Sequence, residues 1–132
     1  MKKYCKKIVV KPSDIDENGH VNNLRYMEWF VDIAVEHSDS LNVGHVTLQA
    51  INRTWMAKEH HITYHLSAFE GDELELCTWI ESVKTVQSVR KYELKNITTG
   101  KTICEGWTNW VFVEFTTFRP QKIPKELIEK YM

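Results

Sequence analysis

Acid, base and amide side chains are concentrated in one short segment near the N-terminus. Asp16, Asn18 and His20 alternate along it, so in an extended conformation their side chains would lie on one side. A carboxylate, an amide and an imidazole can together hold a water molecule and take its proton. Alternatively, the carboxylate can attack an electrophile while the other two groups orient it. The segment ends at Asn22 and Asn23, where a helical pattern begins.

The start of that helix offers a second chemical element. The first N–H groups of a helix lack intrahelical partners and carry partial positive charge, which suits a carbonyl oxygen that gains negative charge under attack. Acid/base groups facing such donors are typical of acyl transfer. The same residues also fit a purely structural role. Asp14 and Asn18 are common turn formers, Asn22 or Asn23 is a common helix N-cap, and His20 fits a structural histidine.

The elements that must position this segment follow from the apolar periodicity. A strand is predicted over residues 3–11, and a helix from Asn23 to about residue 37–42. Its apolar positions recur every three or four residues and leave little of the cylinder polar, which predicts a helix wrapped by the rest of the fold. Further strands are predicted over 55–66, 73–83, 87–97 and 102–115, with a short helix over 124–131 and a loop or short strand over 45–53.

This order of elements predicts the fold class. One helix followed by strands joined by short turns indicates an α+β fold, with an antiparallel sheet of about five strands wrapped round one long central helix. No linker or repeat divides the chain, so residues 1–132 are predicted to form a single domain. Strands 73–83 and 102–115 carry apolar residues on both sides. We therefore expect another subunit to cover part of the sheet, in a homodimer or a dimer of dimers.

Composition argues against several classes of protein. The 17 basic and 18 acidic residues leave a net charge of −1 without a basic stripe, so nucleic-acid binding is not expected. No apolar run approaches the roughly 18–20 residues that cross a bilayer, and none near the N-terminus suits a signal peptide. A soluble, cytoplasmic protein is expected. Cys5, Cys77 and Cys104 are widely spaced without a CxxC pair, which indicates reduced thiols.

Three histidines in the strand over 55–66 resemble metal ligands at first sight. On a strand, however, His61 and His65 share a face and His60 does not. No further ligand is spaced to complete a tetrahedral site. Neither a metal nor another cofactor is therefore expected.

Residues 14–29, DIDENGHVNNLRYMEW, resemble the signature loop and helix start of hot-dog-fold thioesterases, and they are most similar to the acyl-ACP thioesterases. The similarity continues through the segments at 62–64, 110–114 and 123–124 and so extends over nearly the whole chain. It implies a single hot-dog domain that hydrolyses acyl thioesters carried by CoA or by acyl carrier protein.

The resemblance also implies roles for individual residues. Asp16 corresponds to the catalytic carboxylate, acting as nucleophile or as base for water, and Asn18 and His20 correspond to the groups that orient and activate around it. Asn23 would lie near the thioester carbonyl, and Tyr26 near the acyl tunnel.

One position departs from the family pattern. Where the acyl-ACP enzymes place a further Glu, this chain has Ser67, which we assign to the substrate-binding residues. Glu70 lies three residues later and would need a shifted turn to replace that Glu. An Asp-only mechanism, as in the wider thioesterase group, is compatible with this departure.

Two other functions share parts of the pattern. Hot-dog hydratases and dehydratases carry Gly-Asp-x-Asn-Pro-x-His, but here no Gly precedes Asp16, no Pro follows Asn18, and His20 comes one residue early. A non-catalytic acyl-thioester binding protein would keep the fold and lack the acid/base set, which this chain retains. Thioester hydrolysis is therefore the leading prediction.

Overall fold

A computed structural model of the chain describes residues 2–132. The long helix, all five strands and the C-terminal helix lie where the sequence predicts them, but residues 45–53 do not form a loop or short strand throughout. Six of them form a helix. The sequence does not reveal this helix, because six residues are too few to show an apolar period. In chain order the elements are β1 (Tyr4–Val9), a 3-10 turn (Pro12–Asp14), α1 (Asn23–Ser40), α2 (His45–Ala50), β2 (Arg53–Tyr64), β3 (Glu73–Val83), β4 (Gln87–Asn96), β5 (Thr102–Glu114) and α3 (Lys125–Lys130).

The five strands form one antiparallel sheet in the order β1-β3-β4-β5-β2. β5 has the longest apolar run and lies inside the sheet, between β4 and β2, as expected for a strand covered on both sides. β1 and β2 are the two edges. β2 is twelve residues long and shifts its register against β5 between Ala57 and Glu59, which is the signature of a β-bulge.

α1 packs on one face of this sheet. Its buried side chains recur at helical spacing, and Phe30 stacks on Tyr92 of β4 with ring centroids 4.6 Å apart. Gly106 of β5 allows this close approach, because an added Cβ would overlap a backbone oxygen of β2 and lie 3.1 Å from the Phe30 ring. The outer side of α1 remains open, with Leu24 73% and Val35 51% exposed. Among residues 2–132, no helix is both long and apolar enough to cross a membrane.

The cysteines differ from the sequence-based expectation. Cys5 and Cys77 form a disulfide, because they face each other directly in the β1–β3 register. Their 72-residue separation gives no hint of this pairing, since strand register cannot be read from spacing alone. Cys104 is free and buried, and burial raises the pKa of its thiol to about 12, which makes it a poor nucleophile at neutral pH.

The disulfide predicts a thiol count and a stability difference. Denatured protein that has not been reduced should react with one equivalent of thiol reagent per chain, and reduced protein with three. Closing a loop of 72 residues restricts the unfolded chain, so Cys77→Ser should lower the free energy of unfolding by about 4 kcal/mol. Cys104→Ala, which keeps the disulfide, is the matched variant. Three reactive thiols in unreduced protein would contradict the pairing.

Candidate active site

Residues 15–21 fold back on themselves just ahead of α1, and we call this segment the Asp16 turn. Ile15 and Val21 form an antiparallel bridge at its base, and the Asp16 N–H donates to the His20 carbonyl oxygen at 2.9 Å. Gly19 has a φ of 85°, in the left-handed region that favours glycine. The segment is therefore a tight turn and not an extended chain, so the one-sided alternation expected of Asp16, Asn18 and His20 in an extended chain does not apply.

The groups of the turn are linked mainly through the backbone. Asp16 is partly buried as a residue, and the Oδ1 of its carboxylate accepts the Asn18 backbone N–H at 2.8 Å. His20 Nδ1 lies 3.2 Å from the Val21 carbonyl oxygen. A neutral ring that donates there leaves Nε2 as an acceptor. In the described part of the chain, no hydrogen bond joins the side chains of Asp16, Asn18 and His20 to one another.

Asp14 has the structural role that the sequence allowed for it. It is only 6% exposed. One carboxylate oxygen accepts the Lys11 N–H and the other the Arg25 Nε–H, both at 2.9 Å, while its carbonyl accepts the Asn22 N–H at 3.0 Å. The residue thus ties the 3-10 turn, the Asp16 turn and the first turn of α1 together.

The start of α1 is capped more fully than expected. The side chain of Asn22 accepts the Leu24 N–H at 2.9 Å, and its carbonyl accepts the Arg25 N–H at 2.8 Å, an arrangement typical of an N-cap. Within residues 2–132, the Asn23 N–H makes no hydrogen bond, while its carbonyl accepts the Tyr64 hydroxyl at 3.0 Å. One backbone donor, that of Asn23, is therefore available at this helix start.

The loop after β2 is fastened to the Asp16 turn. The Ala68 carbonyl accepts the Val21 N–H at 2.9 Å, and the Ala68 N–H donates to the Tyr26 hydroxyl at 3.1 Å. Tyr26 is 1% exposed, and burial raises the pKa of its phenol, so its visible contacts are those of a core residue. Its place beside an acyl tunnel stays a prediction. Ser67 and Glu70 are exposed on this loop.

An apolar cavity of about 250 Å³ lies farther along α1. All three helices and the sheet contribute to its walls. Position 34 of α1 is about 17 Å along the helix axis from Asn23 at the usual rise per residue, so within one chain the cavity and the Asp16 turn are well separated. Sequence reasoning missed the cavity because α2, one of its walls, was not recognised. Its apolar lining includes Ala34, Val43, Leu48, Trp55, Ile80 and Leu127.

A buried basic pair adjoins this cavity. Arg90 lines it and is 4% exposed, and its Nη1 lies 2.9 Å from Nδ1 of His37. Because a guanidinium has no acceptor, His37 must be the acceptor and hence neutral. Burial, assisted by the charge of Arg90, lowers the pKa of His37 to about 4. In the sequence, His37 follows Phe30, Ile33 and Ala34 at helical spacing, which predicts the same side of α1, but no sequence signal indicates its partner.

The three histidines of β2 and the adjoining loop have separate surroundings. His60 Nδ1 lies 2.8 Å from Thr108 Oγ1, the His61 ring stacks at 5.5 Å on Trp107, and His65 is 3.9 Å from Glu105. Among the residues that the structure describes, no group of three or more His, Cys, Asp or Glu side chains could hold a metal ion.

Comparison with known proteins identifies the family. Residues 1–131 match the family model for the acyl-ACP thioesterase N-terminal domain. The chain belongs to the acyl-ACP thioesterase family. A curated relative, oleoyl-acyl carrier protein thioesterase 1 (chloroplastic) of Arabidopsis thaliana, is 22% identical over 98% of this chain and 37% of its own length. The chain thus spans little more than a third of that relative.

Solved structures agree on the fold. An acyl-ACP thioesterase from Bacteroides thetaiotaomicron superposes with a TM-score of 0.87 at 20% identity, covering 96% of this chain and 52% of the other. A 1,4-dihydroxy-2-naphthoyl-CoA thioesterase from Synechocystis superposes with a TM-score of 0.89 at 13% identity, covering 98% of this chain and 96% of the other. The predicted hot-dog fold, a five-stranded antiparallel sheet with a long helix packed on it, is confirmed.

The neutral state of His37 predicts a loss of stability in mild acid. The pKa of His37 is about 4 in the folded protein against 6.5 for a free histidine, so the unfolded chain binds the proton first as the pH falls. The contribution of neutral His37 to the free energy of unfolding is fully present above about pH 6.5 and is lost as the pH falls from about 6.5 to about 4. By urea denaturation, we expect the free energy of unfolding to be about 2 kcal/mol lower at about pH 5 than at about pH 7.

A non-titrating variant isolates this effect. His37→Gln keeps an acceptor beside Arg90, so its stability should change much less over the same range. His60→Gln, a change on the far more exposed β2, should keep the wild-type pH dependence. Equal pH dependence in wild type and His37→Gln would rule out His37 as the source.

Proposed function

We propose that the protein hydrolyses acyl thioesters carried by acyl carrier protein or by CoA, and that Asp16 provides the catalytic carboxylate. The observation that carries this proposal is the Asp16 turn. The carboxylate of the partly buried Asp16 accepts the Asn18 N–H on a tight turn that leads directly into the capped start of α1, in a chain of the acyl-ACP thioesterase family. This substrate class is also supported by similar proteins, which are named as thioesterases of acyl-ACP or of a CoA thioester.

The proposed reaction uses groups that the turn leaves available. The thioester carbonyl oxygen accepts the Asn23 N–H, which stabilises the negative charge that develops there. Asp16 takes the proton of a water molecule whose oxygen attacks the carbonyl carbon, and His20 Nε2 and the Asn18 amide orient that water. Collapse of the intermediate breaks the carbon–sulfur bond, and the proton passes to the leaving thiolate. The products are the free acid and the thiol. Direct attack by Asp16 is the alternative for the first step.

Two further features of the chain are proposed to contact the substrate. The exposed Ser67, where related enzymes place a Glu, would contribute a hydroxyl beside the Asp16 turn, since its neighbour Ala68 is hydrogen-bonded to Val21. The apolar cavity beside α2 is the proposed site for the acyl chain, because a pocket of this size and apolar lining suits a hydrocarbon.

We further propose that the chain acts as a homodimer or a dimer of dimers. The edge of β2 is open over twelve residues and carries exposed apolar side chains, Met56 and Tyr64 among them. An open edge of this length readily pairs with another strand. Such pairing would join two sheets and bring a second Asp16 turn into the same assembly.

The role of Asp16 is tested by removing its charge. Asp16→Asn and Asp16→Ala should each lower kcat by at least about 10²-fold, the scale of losing a base or nucleophile. Thiol release from a panel of acyl-CoA and acyl carrier protein thioesters measures this. Glu17→Gln is the matched control, because it removes an exposed carboxylate from the same turn and should leave kcat unchanged. Near-normal turnover of both Asp16 variants would refute the assignment. Substrate binding without thiol release by the wild type would favour a binding protein.

The oligomer is tested by its mass. Light scattering should give two or four times the chain mass of 15.6 kDa. Met56→Glu, which places a charge on the β2 edge, should shift the protein toward the single-chain mass. Ile97→Glu changes a similarly exposed apolar residue in the turn after β4 and should not. A wild-type protein at the single-chain mass would exclude this assembly.

A further inference from the structure

We propose that the cavity binds a ligand whose apolar chain ends in a carboxylate, and that Arg90 pairs with that carboxylate. The ligand is either an acyl group with an acidic far end or the free acid product, so the assignment rests on the function proposed above. Arg90 then determines which acyl groups the cavity prefers.

Arg90 is a buried charge without a counter-ion. Asp14 and Arg90 are the buried charged residues in the described part of the chain, and Asp14 is paired with Arg25 at 2.9 Å. Within residues 2–132, no carboxylate lies within 4.0 Å of the Arg90 guanidinium. Burying an unpaired charge is strongly unfavourable, and burial lowers the pKa of Arg90 accordingly.

The neighbours of Arg90 satisfy only part of its hydrogen-bonding capacity. Its Nη1 donates to His37 Nδ1 at 2.9 Å and to Thr78 Oγ1 at 3.2 Å. A guanidinium has five N–H donors, and Nε and Nη2 make no hydrogen bond to any residue that the structure describes. The Tyr131 ring lies 5.6 Å from the guanidinium carbon, and the C-terminal end of α1 is near. The aromatic ring and the helix end offset some of the positive charge of Arg90, but neither accepts a hydrogen bond from its Nε or Nη2.

β4 places Arg90 in the wall of the cavity. Ser88, Arg90, Tyr92 and Leu94 alternate as the buried residues of β4, so Arg90 lies on the sheet face that carries α1. It is part of the cavity wall together with Ile80, Leu127 and Tyr131. A ligand carboxylate there can accept two parallel N–H groups from a guanidinium, the geometry for which arginine is suited.

Neutral groups around Arg90 keep the site specific for an anion. His37 is an acceptor toward Arg90 and therefore uncharged, and Thr78 and Tyr131 are uncharged as well. The positive charge of Arg90 is thus the only formal charge among these contacts. An acyl chain with a plain methyl end would leave this charge unpaired, whereas a carboxylate neutralises it.

Binding to the wild-type protein is the first measurement. By calorimetry, decanoate should bind at least about tenfold more tightly than decan-1-ol, the scale of a charge-assisted hydrogen bond. Arg90→Gln should abolish this preference and leave the affinity for decan-1-ol within about twofold. Arg53→Gln, which changes an arginine next to the cavity-lining Thr54, should keep it. If Arg90→Gln does not fold, the wild-type comparison decides alone. Equal binding of acid and alcohol overturns the proposal.

Turnover then distinguishes the two sources of the carboxylate. Hexadecanoyl-CoA is compared with the CoA monothioester of hexadecanedioic acid, because a sixteen-carbon chain is long enough to extend from the Asn23 N–H to the cavity. If kcat/KM is at least about tenfold higher for the dicarboxylic monothioester, and Arg90→Gln removes that difference, the carboxylate that pairs with Arg90 is the far end of the substrate's acyl group. Equal values together with tight decanoate binding identify the free acid product. Absence of thiol release from both thioesters counts against the proposed hydrolysis and leaves the binding result, which needs no turnover, to be judged by itself.

Discussion

The buried carboxylate of Asp14 is the contact on which the candidate site depends. It holds the Lys11 N–H and the Arg25 guanidinium while its own carbonyl holds the Asn22 N–H. Removing the carboxylate should cost less than the about 3–5 kcal/mol typical of a fully buried pair, because the Arg25 side chain is 34% exposed and water can solvate its charge. This contact joins the segment ahead of the Asp16 turn to the first turn of α1, and the hydrogen bonds of Ala68 to Val21 and Tyr26 hold the turn from its other side. The catalytic proposal for Asp16 therefore depends on Asp14, two residues earlier, as well as on the loop after β2.

α1 connects two regions of different chemistry. At its start lie polar groups: the Asp16 turn, the Asn22 cap and the loop fastened through Tyr26. Toward its end, apolar side chains line a cavity that includes the charged Arg90. Gly106 allows the helix to lie close enough to the sheet for Phe30 to stack on Tyr92, which fixes the position of both regions. A rigid helix on a sheet is suited to holding a reacting end and a chain-binding end at a constant separation.

Sequence predicted what depends on local patterns. The apolar period of α1, the strand β3 over 73–83 and the interior position of β5 all follow from residue order. The pairing of Cys5 with Cys77, the helix α2 and the contact between His37 and Arg90 do not, because each depends on register, on tertiary packing or on residues 53 positions apart. For the site, the sequence predicted Asp16, Asn18 and His20 as candidate residues. It did not predict that they lie on a tight turn held by backbone hydrogen bonds.

The disulfide also makes the two borders of the sheet unequal. β1 is covalently attached to β3 through Cys5 and Cys77, so it cannot separate from its neighbour while that bond is intact. β2 is attached to β5 by hydrogen bonds and packing alone. Opening of the β1 border is therefore limited by a covalent bond, whereas opening of the β2 border is limited by its hydrogen bonds and packing. A reducing environment would weaken the first border and leave the second unchanged.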